Sequence, residues 1–451
     1  MSDGRDKISI SREELDDRSI DEQLEQQRSY APSPDESAPP EPKFRLIYAA
    51  WFYLMLAGAM GALAAWAIIE PKFMDGVIFT GKVESVDTDM GLPTRPGTPF
   101  EIRGRLEVAG VKVYTAPELT QIGSKGAQSK LALRELNVGD VVRVRGEAAP
   151  DESLMLAQAI RLEDPRTPAA SKVSLSELSL QSKVFGFLLF PAVAGLVGFM
   201  IGGVEGIVCR TYARAAWCAA LGLLVGVVGG VLSALAGGMV FSLLGLIGGH
   251  ADPTSSAPAF IFLTFRRGLA WSIAGMTMGL GQGFALKSSK LKLNGFIGGM
   301  VGGLIGGLAF DPINLLIMGQ DRFAGAELSR ALGLGTIGLT VGLMIGLTDL
   351  LTRDAWLRVL AGPLQGKEFS FNRTPIRIGS SQRNEVYLFK DPKIDPVHAE
   401  INKLRDAFEI VDKGSTTGTL VDGKRITRHR LVDGNRIKIG DSEFSYSARA
   451  K

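Results

Sequence analysis

Glycines recurring at every fourth position in charge-poor stretches constrain this chain more than any other feature. Gly295, Gly299, Gly303 and Gly307 form one stripe, Gly298, Gly302 and Gly306 a second beside it, and Gly222, Gly226 and Gly230 repeat the pattern. In lipid, apolar side chains gain little by leaving one hydrocarbon for another. Small residues instead let helix backbones approach closely and gain dispersion contacts. The stripes therefore predict tight packing within a membrane helix bundle, or contact between copies of the chain in a homo-oligomer.

Six segments are long and apolar enough for such a bundle, since a span takes about 20 residues. They are 46–69 and about 184–208, 214–248, 268–286, 294–318 and 329–350. The first carries Trp51, Tyr53 and Trp66 near its ends, as interfacial anchors do. An acidic leader of 43 residues precedes it, so it reads as an uncleaved signal anchor rather than a cleaved signal peptide.

Within 183–350 three stretches share a frame, aligning at Gly198/Gly279/Gly342 and Gly202/Gly283/Gly346. Lys183, Arg267 and Arg330 stand before the three corresponding helices. The frame predicts two helix pairs plus a final half-repeat, and internal repeats of this kind recur in membrane folds.

Charge gives the orientation. Lys43 and Arg45, Arg210 and Arg214, Lys287, Lys290 and Lys292, and Arg353 and Arg358 all fall on one side of a six-span bundle. Arg266, Arg267, Arg322 and Arg330 fall on the other side, and by the positive-inside rule the richer side is cytoplasmic. The expectation is a multi-pass inner (plasma) membrane protein of a bacterial cell, with both termini cytoplasmic and 73–164 outside.

Charged residues inside such a bundle are the marks of a transport path. Glu205, Asp349 and Asp311 are the candidates, with Gln282 as a neutral companion. Glu205 and Asp349 occupy the same repeat position near helix ends, where water and an ion partner are within reach. Pro312, directly after Asp311, predicts a helix break there. A channel or transporter is the alternative these residues leave open.

The remaining segments are polar. Residues 1–43 hold 12 acids against 6 bases and no apolar period, which predicts a disordered acidic tail. Ser11 and Glu14 stand there at capping-box spacing. Residues 73–164 alternate apolar and polar positions between Gly, Pro and Asp turns, the pattern of a small β-barrel or sandwich. The order "GKVESVD … LRELNVGDVVRVRGEA … LMLAQAIRLED" resembles the small OB-like domains of bacterial exported proteins. Phe79, Phe100 and Tyr114 are too scattered to form a base-stacking set, so nucleic acid is not an expected partner.

After Asp354, short alternating strands with Gly-Pro, Arg-Asp and Asp-Gly turns predict an all-β sandwich over 355–449. Four elements there, "IRIGSS", "DPVHAEI", "IVDKGSTTGTLVDGKRI" and "LVDGNRIKIGDSEFSY", resemble the forkhead-associated (FHA) domain in order and spacing. The resemblance implies a β-sandwich whose loops at one end recognise phosphothreonine peptides. It carries over Ser380, Ser381, Arg383, Asp395, His398, Ser415, Thr416 and Thr417 as a degenerate partner- or phosphopeptide-binding set.

The departures fall on the phosphate. The family's Gly-Arg is Gly379-Ser380 here, so a phosphate loses its guanidinium; the Ser of Ser-x-x-His is Asp395, which adds repulsion; and the family's Asn is Thr417. Residues 355–451 nonetheless hold 18 bases against 12 acids.

No cofactor or metal is expected. His250, His398 and His429 are far apart, and Cys209 and Cys218 show no zinc or disulfide spacing. With no nucleophile–base pair and no phosphate-cradling loop, the chain is not expected to be an enzyme. The whole reads as a multidomain membrane adaptor whose cytoplasmic FHA-like head binds a protein partner.

Overall fold

The computed structural model describes residues 46–72, 76–91, 102–116, 120–124, 131–149, 154–248, 257–318, 326–405 and 407–449. The acidic segment 1–43, with Ser11 and Glu14, lies outside the described residues. The helices are α1 (Ala50–Ile69), α2 (Leu175–Val208), α3 (Tyr212–Gly248), α4 (Ala257–Met278), α5 (Leu280–Ala285), α6 (Ser289–Met318) and α7 (Ala326–Thr352). Among the described residues, α1, α2, α3, α6 and α7 are long and apolar enough to cross a membrane.

Two helices depart from the sequence reading. The expected 268–286 span is instead α4, which begins at Ala257, carries Arg266 and Arg267, and is separated from α5 at Gly279. That glycine lies against the Gly295 backbone, where a Cβ would meet the Gly295 carbonyl carbon at 2.8 Å. Close approach takes precedence over helix continuity here. The break expected near Pro312 does not occur: α6 runs through Pro312 to Met318. Neighbouring helices make an interior proline tolerable in a bundle of this kind.

Glycine contacts set the packing. In α2 against α3, Gly198 opposes Gly222, Gly202 opposes Cys218, and Gly206 opposes Ala215. In α4 against α6, Gly275 opposes Gly299, Trp271 opposes Gly303, and Gly268 opposes Gly307. The second stripe of α6 has a different neighbour: Gly298, Gly302 and Gly306 face Ile345, Val341 and Ile337 of α7. The expected half-repeat is not left unpaired. Gly338, Gly342 and Gly346 of α7 pack on Gly58, Leu54 and Trp51 of α1, so α1 supplies the third pair.

Contacts of α1 with α2 and of α3 with α4 close a ring. The repeat-related helices α2, α4 and α7 meet along its axis. Val193, Val197, Ile201, Ala274, Met278, Ile337, Val341 and Ile345 are buried together there. Two hairpins are stapled at one end by ion pairs, Arg267 to Asp311 at 3.0 Å and Arg330 to Glu70.

At that stapled end stands a small barrel made of β1 (Val77–Gly91), β2 (Arg103–Val108), β3 (Val111–Tyr114), β4 (Gln121–Ser124), β5 (Val141–Ala148) and β6 (Met155–Leu162). The sheet order is β3-β2-β1-β5-β6-β4, and a parallel β3–β6 pairing closes five strands on themselves. Alternation turns Val77, Phe79, Val83, Leu106, Val108, Val142 and Val144 inward. The first turn of α2 belongs to this core through Leu175 and Leu178, with Ser174 as its N-cap. That is why α2 begins nine residues before the expected start at 184.

At the other end lies a two-sheet sandwich. One sheet runs β10-β9-β11-β12-β15, from β9 (Ile376–Gly379), β10 (Val386–Tyr387), β11 (Ala399–Lys403), β12 (Phe408–Asp412) and β15 (Arg428–Leu431). The other runs β14-β13-β16-β17-β7-β8, from β7 (Ala355–Ala361), β8 (Glu368–Ser370), β13 (Thr419–Val421), β14 (Lys424–Ile426), β16 (Arg436–Ile439) and β17 (Ser442–Ala448). Leu357, Ile378, Ile401, Ile410, Ile437 and Phe444 fill the space between them.

The sandwich is docked on the ring rather than merely tethered to it. Tyr48 and Cys209, from the bundle, pack on the sandwich core. Lys367, 1% exposed, donates to the Tyr53 hydroxyl at 2.9 Å and stands over its ring. Desolvation opposes this charge, but the hydrogen bond to Tyr53 and the nearby Glu205 carboxylate outweigh it and hold the Lys367 pKa above its ordinary value. Arg210 covers the Phe389 ring, and Ser288 donates to the Asn372 carbonyl at 2.8 Å. The bundle thus separates the two β modules.

Candidate functional site

Three loops meet at one edge of the sandwich: 380–385 after β9, 388–398 before β11, and 413–418 between β12 and β13. Backbone bonds join the first two, Ser380 N–H to the Asp395 carbonyl at 3.0 Å and Ser381 N–H to the Pro396 carbonyl at 3.3 Å. Asn384, buried, adds a side-chain bond to the Pro396 carbonyl at 2.6 Å. The third loop is tied in by His398, whose Nε2 lies 3.2 Å from the Gly418 carbonyl. Its Nδ1 accepts from the Asp395 N–H at 3.4 Å, which leaves the proton on Nε2 to donate.

Asp395 makes the decisive contact. Its carboxylate accepts from the Thr416 N–H at 2.7 Å and from the Thr416 hydroxyl at 3.1 Å. From sequence this carboxylate is expected only to repel an anion. The fold also makes it an internal acceptor for two donors an incoming anion would need. Thr417 is spent as well, donating to the Lys393 carbonyl at 2.8 Å.

The turn itself is built around Asp412. Its carboxylate accepts from Ser415 N–H and Oγ at 3.0 and 2.5 Å, from Gly414 N–H at 3.1 Å and from Thr419 Oγ1 at 2.7 Å. Partial burial opposes the Asp412 charge, but these donors outweigh it and hold its pKa below the usual carboxylate range. Gly414 and Gly418 take positive φ, 76° and 79°, as tight turns require.

Seven of the expected site residues, Ser380, Ser381, Asp395, His398, Ser415, Thr416 and Thr417, are joined in this hydrogen-bonded edge. Arg383 reaches it through its N–H bond to Ser381 Oγ at 3.3 Å, with an exposed side chain. Asn384 and Asp412 were not singled out in sequence. For Asp412 the signal was available, since an Asp two residues before a Gly, as in Asp412-Lys413-Gly414, is an Asx-turn pattern.

Two of the carboxylates in the helix bundle, Glu205 and Asp349, are held by neutral donors. Glu205 accepts from Gln282 at 2.5 Å, joining two of the candidates. Asp349 takes neutral donors in place of an ion partner: Asn294 at 3.3 Å, Ser370 at 3.2 Å and Asn372 at 3.0 Å. Two of these three come from the sandwich, so Asp349 belongs to the docking junction.

Comparison with known proteins fits this geometry. Residues 376–440 match the FHA domain family. The C-terminal module is an FHA domain. The chain is 29% identical over 101 residues to the glycogen accumulation regulator GarA of Mycolicibacterium smegmatis, covering 22% of this chain and 63% of that protein. It is 30% identical over 95 residues to an oxoglutarate dehydrogenase inhibitor of Corynebacterium jeikeium, covering 21% and 65%. A stretch of 115 residues is 30% identical to protein phosphatase 2C 70 of Arabidopsis thaliana, covering 22% of this chain and 20% of that protein. The matches thus span less than two thirds of these relatives and about a fifth of this chain.

Among solved structures, the FHA domain of the CT664 protein from Chlamydia trachomatis is 29% identical, with 22% of this chain and 99% of that chain covered and a TM-score of 0.20. The FhaA FHA domain, crystallised with the intracellular domain of another protein, is 26% identical, with 20% and 98% covered and a TM-score of 0.19.

Proposed function

We propose that this chain is a multi-pass inner-membrane adaptor that holds an FHA head in the cytoplasm and an OB-like barrel outside. The observation that carries the reading is the position of the two β modules at opposite ends of one helix ring. The division is a tail at 1–43, a signal anchor at 46–69, a barrel at 73–164, a glycine-zipper bundle at 183–350 and the FHA head at 355–449. The sixth crossing is α4 with α5, which packs antiparallel to α6 along the Gly275–Gly299 and Gly268–Gly307 contacts. The closed order β1-β2-β3-β6-β5 with its one parallel joint supports the OB-like assignment.

The head binds a protein partner, as relatives named regulator and inhibitor suggest, and the chain works without catalysis of its own. Phosphothreonine is the family's ligand. In this head the Thr416 donors are already taken by Asp395, which favours recognition without phosphate. A transport role draws less support, because apolar side chains fill the ring axis.

The test uses the full chain in detergent with paired threonine and phosphothreonine peptides. Equal binding is expected for the wild type. The double substitution Ser380→Arg with Asp395→Ser restores a guanidinium and releases two donors, and should tighten the phosphopeptide at least about tenfold. A wild-type preference for phosphate, or no change in the double variant, would overturn the internal-acceptor reading.

A further inference from the structure

The FHA edge has lost the guanidinium expected after Gly379, yet the fold brings another one to the same edge. β13 and β14 form a hairpin through Asp422-Gly423, both at positive φ, with Leu420 opposite Arg425. In a strand every second side chain shares a face. Gly418 and Leu420 therefore face the same way, and Arg425 leans diagonally across Gly418 toward the 413–418 loop. Gly418 has no side chain to obstruct it: a Cβ there would stand 2.7 Å from the Arg425 Cζ. The guanidinium thus rests on the backbone immediately after Thr416 and Thr417.

Three neighbouring cations are already engaged, whereas Arg383 and Lys424 are exposed and have no carboxylate partner among the described residues. Lys393 pairs with Asp441 at 2.7 Å, Lys413 with Glu400 at 3.4 Å, and Arg428 with Glu409 at 3.7 Å. Among the described residues Arg425 has neither a carboxylate nor a hydrogen-bond partner, and it is exposed. An arginine fork held against a loop backbone is pre-organised for a planar oxyanion.

We propose that Arg425 is the anion anchor of this FHA edge and that it takes the carboxylate of an acidic peptide side chain. The inference rests on the partner-binding reading above and specifies the chemistry of the partner. A carboxylate suits the site better than a phosphate for two reasons. It brings a single charge toward Asp395 instead of nearly two. It also needs only the two parallel N–H bonds of the fork, whereas a phosphate would call on the Thr416 donors that Asp395 holds.

The test uses the full-length protein in detergent at about 0.15 M salt, where screening suppresses diffuse attraction. Three fluorescein-labelled peptides are compared by anisotropy: alternating Asp and Ala, the same with Asn for Asp, and the Asn peptide bearing one phosphothreonine. The Asp peptide should bind about tenfold or more tightly than the Asn peptide. Arg425→Gln should remove about tenfold of that affinity, Arg425→Lys should recover part of it, and Arg428→Gln should change it less than about twofold.

Failure of the Asp peptide to bind, an unchanged Arg425→Gln, or tighter binding of the phosphothreonine peptide would each overturn the proposal. A partner that co-purifies with both wild type and Arg425→Gln would overturn it too while leaving the adaptor reading standing, so the two fail separately.

Discussion

Replacing Lys367 with Met should loosen the FHA head from the bundle. Met keeps the apolar stem and removes the ammonium, leaving the Tyr53 hydroxyl, in a residue 6% exposed, without its donor. A hydrogen bond to a charged group contributes about 1.5–3 kcal/mol, and an orphaned buried group forfeits about as much. At about 1.4 kcal/mol per factor of ten, the undocked population should rise roughly 10- to 150-fold.

Cys209 reports it. Its thiol is 6% exposed beneath the sandwich core, and burial raises its pKa, so the docked state offers little thiolate. Maleimide labelling followed by peptide mass spectrometry separates Cys209 from Cys218, which is 3% exposed within α3. Tyr53→Phe should accelerate Cys209 labelling by a similar factor. The double variant Lys367→Met with Tyr53→Phe should label more slowly than either single, because replacing both partners with apolar groups leaves no orphaned hydroxyl. Wild-type labelling rates in both singles, or additive effects in the double, would refute the latch.

Two further outcomes follow from the same structure. Gly342→Val in α7 would put its Cβ 2.7 Å from the Leu54 carbonyl carbon of α1, and overpacking of that kind costs about 1–3 kcal/mol. A Cβ at Gly238 would meet nothing within 4 Å, so the melting temperature in detergent should fall for Gly342→Val and hold for Gly238→Ala. The depressed Asp412 pKa means that its contribution is fully present above the unfolded value of about 3.9 and is lost as pH falls through the folded value. Asp412→Asn should therefore lower the melting temperature of the head at pH 6 and flatten its decline between about pH 5 and pH 2.5.

Much of this architecture was legible because it rests on short-range pattern. The alternation in 73–164 and 355–449 gave both β modules, and the i, i+4 glycines gave close-packed helices. What a stripe faces is another matter, since that depends on topology: nothing local assigns Gly303 to α4 and Gly302 to α7, or pairs Gly338 with α1. The continuous helix through Pro312 and the break at Gly279 likewise depend on neighbouring helices, which outweigh local propensity.

At the FHA edge, the motif located Asp395 and Thr416 but not the bonds between them. Arg425 stands inside the third quoted FHA element, but nothing in the motif marks it, because its approach to Gly418 comes from hairpin register. Lys367 read as one cation among many, and only docking on Tyr53 distinguishes it.

In the proposed topology the helix ring keeps the barrel and the FHA head on opposite faces of a membrane. A membrane-impermeant maleimide applied to intact spheroplasts tests it, using single cysteines at Arg134 in the barrel and Lys424 in the head, both exposed, in a chain with Cys209 and Cys218 replaced by Ala. Labelling at 134 before permeabilisation and at 424 only afterwards is the expected result. Equal labelling at both before permeabilisation, or the reverse order, would contradict the account.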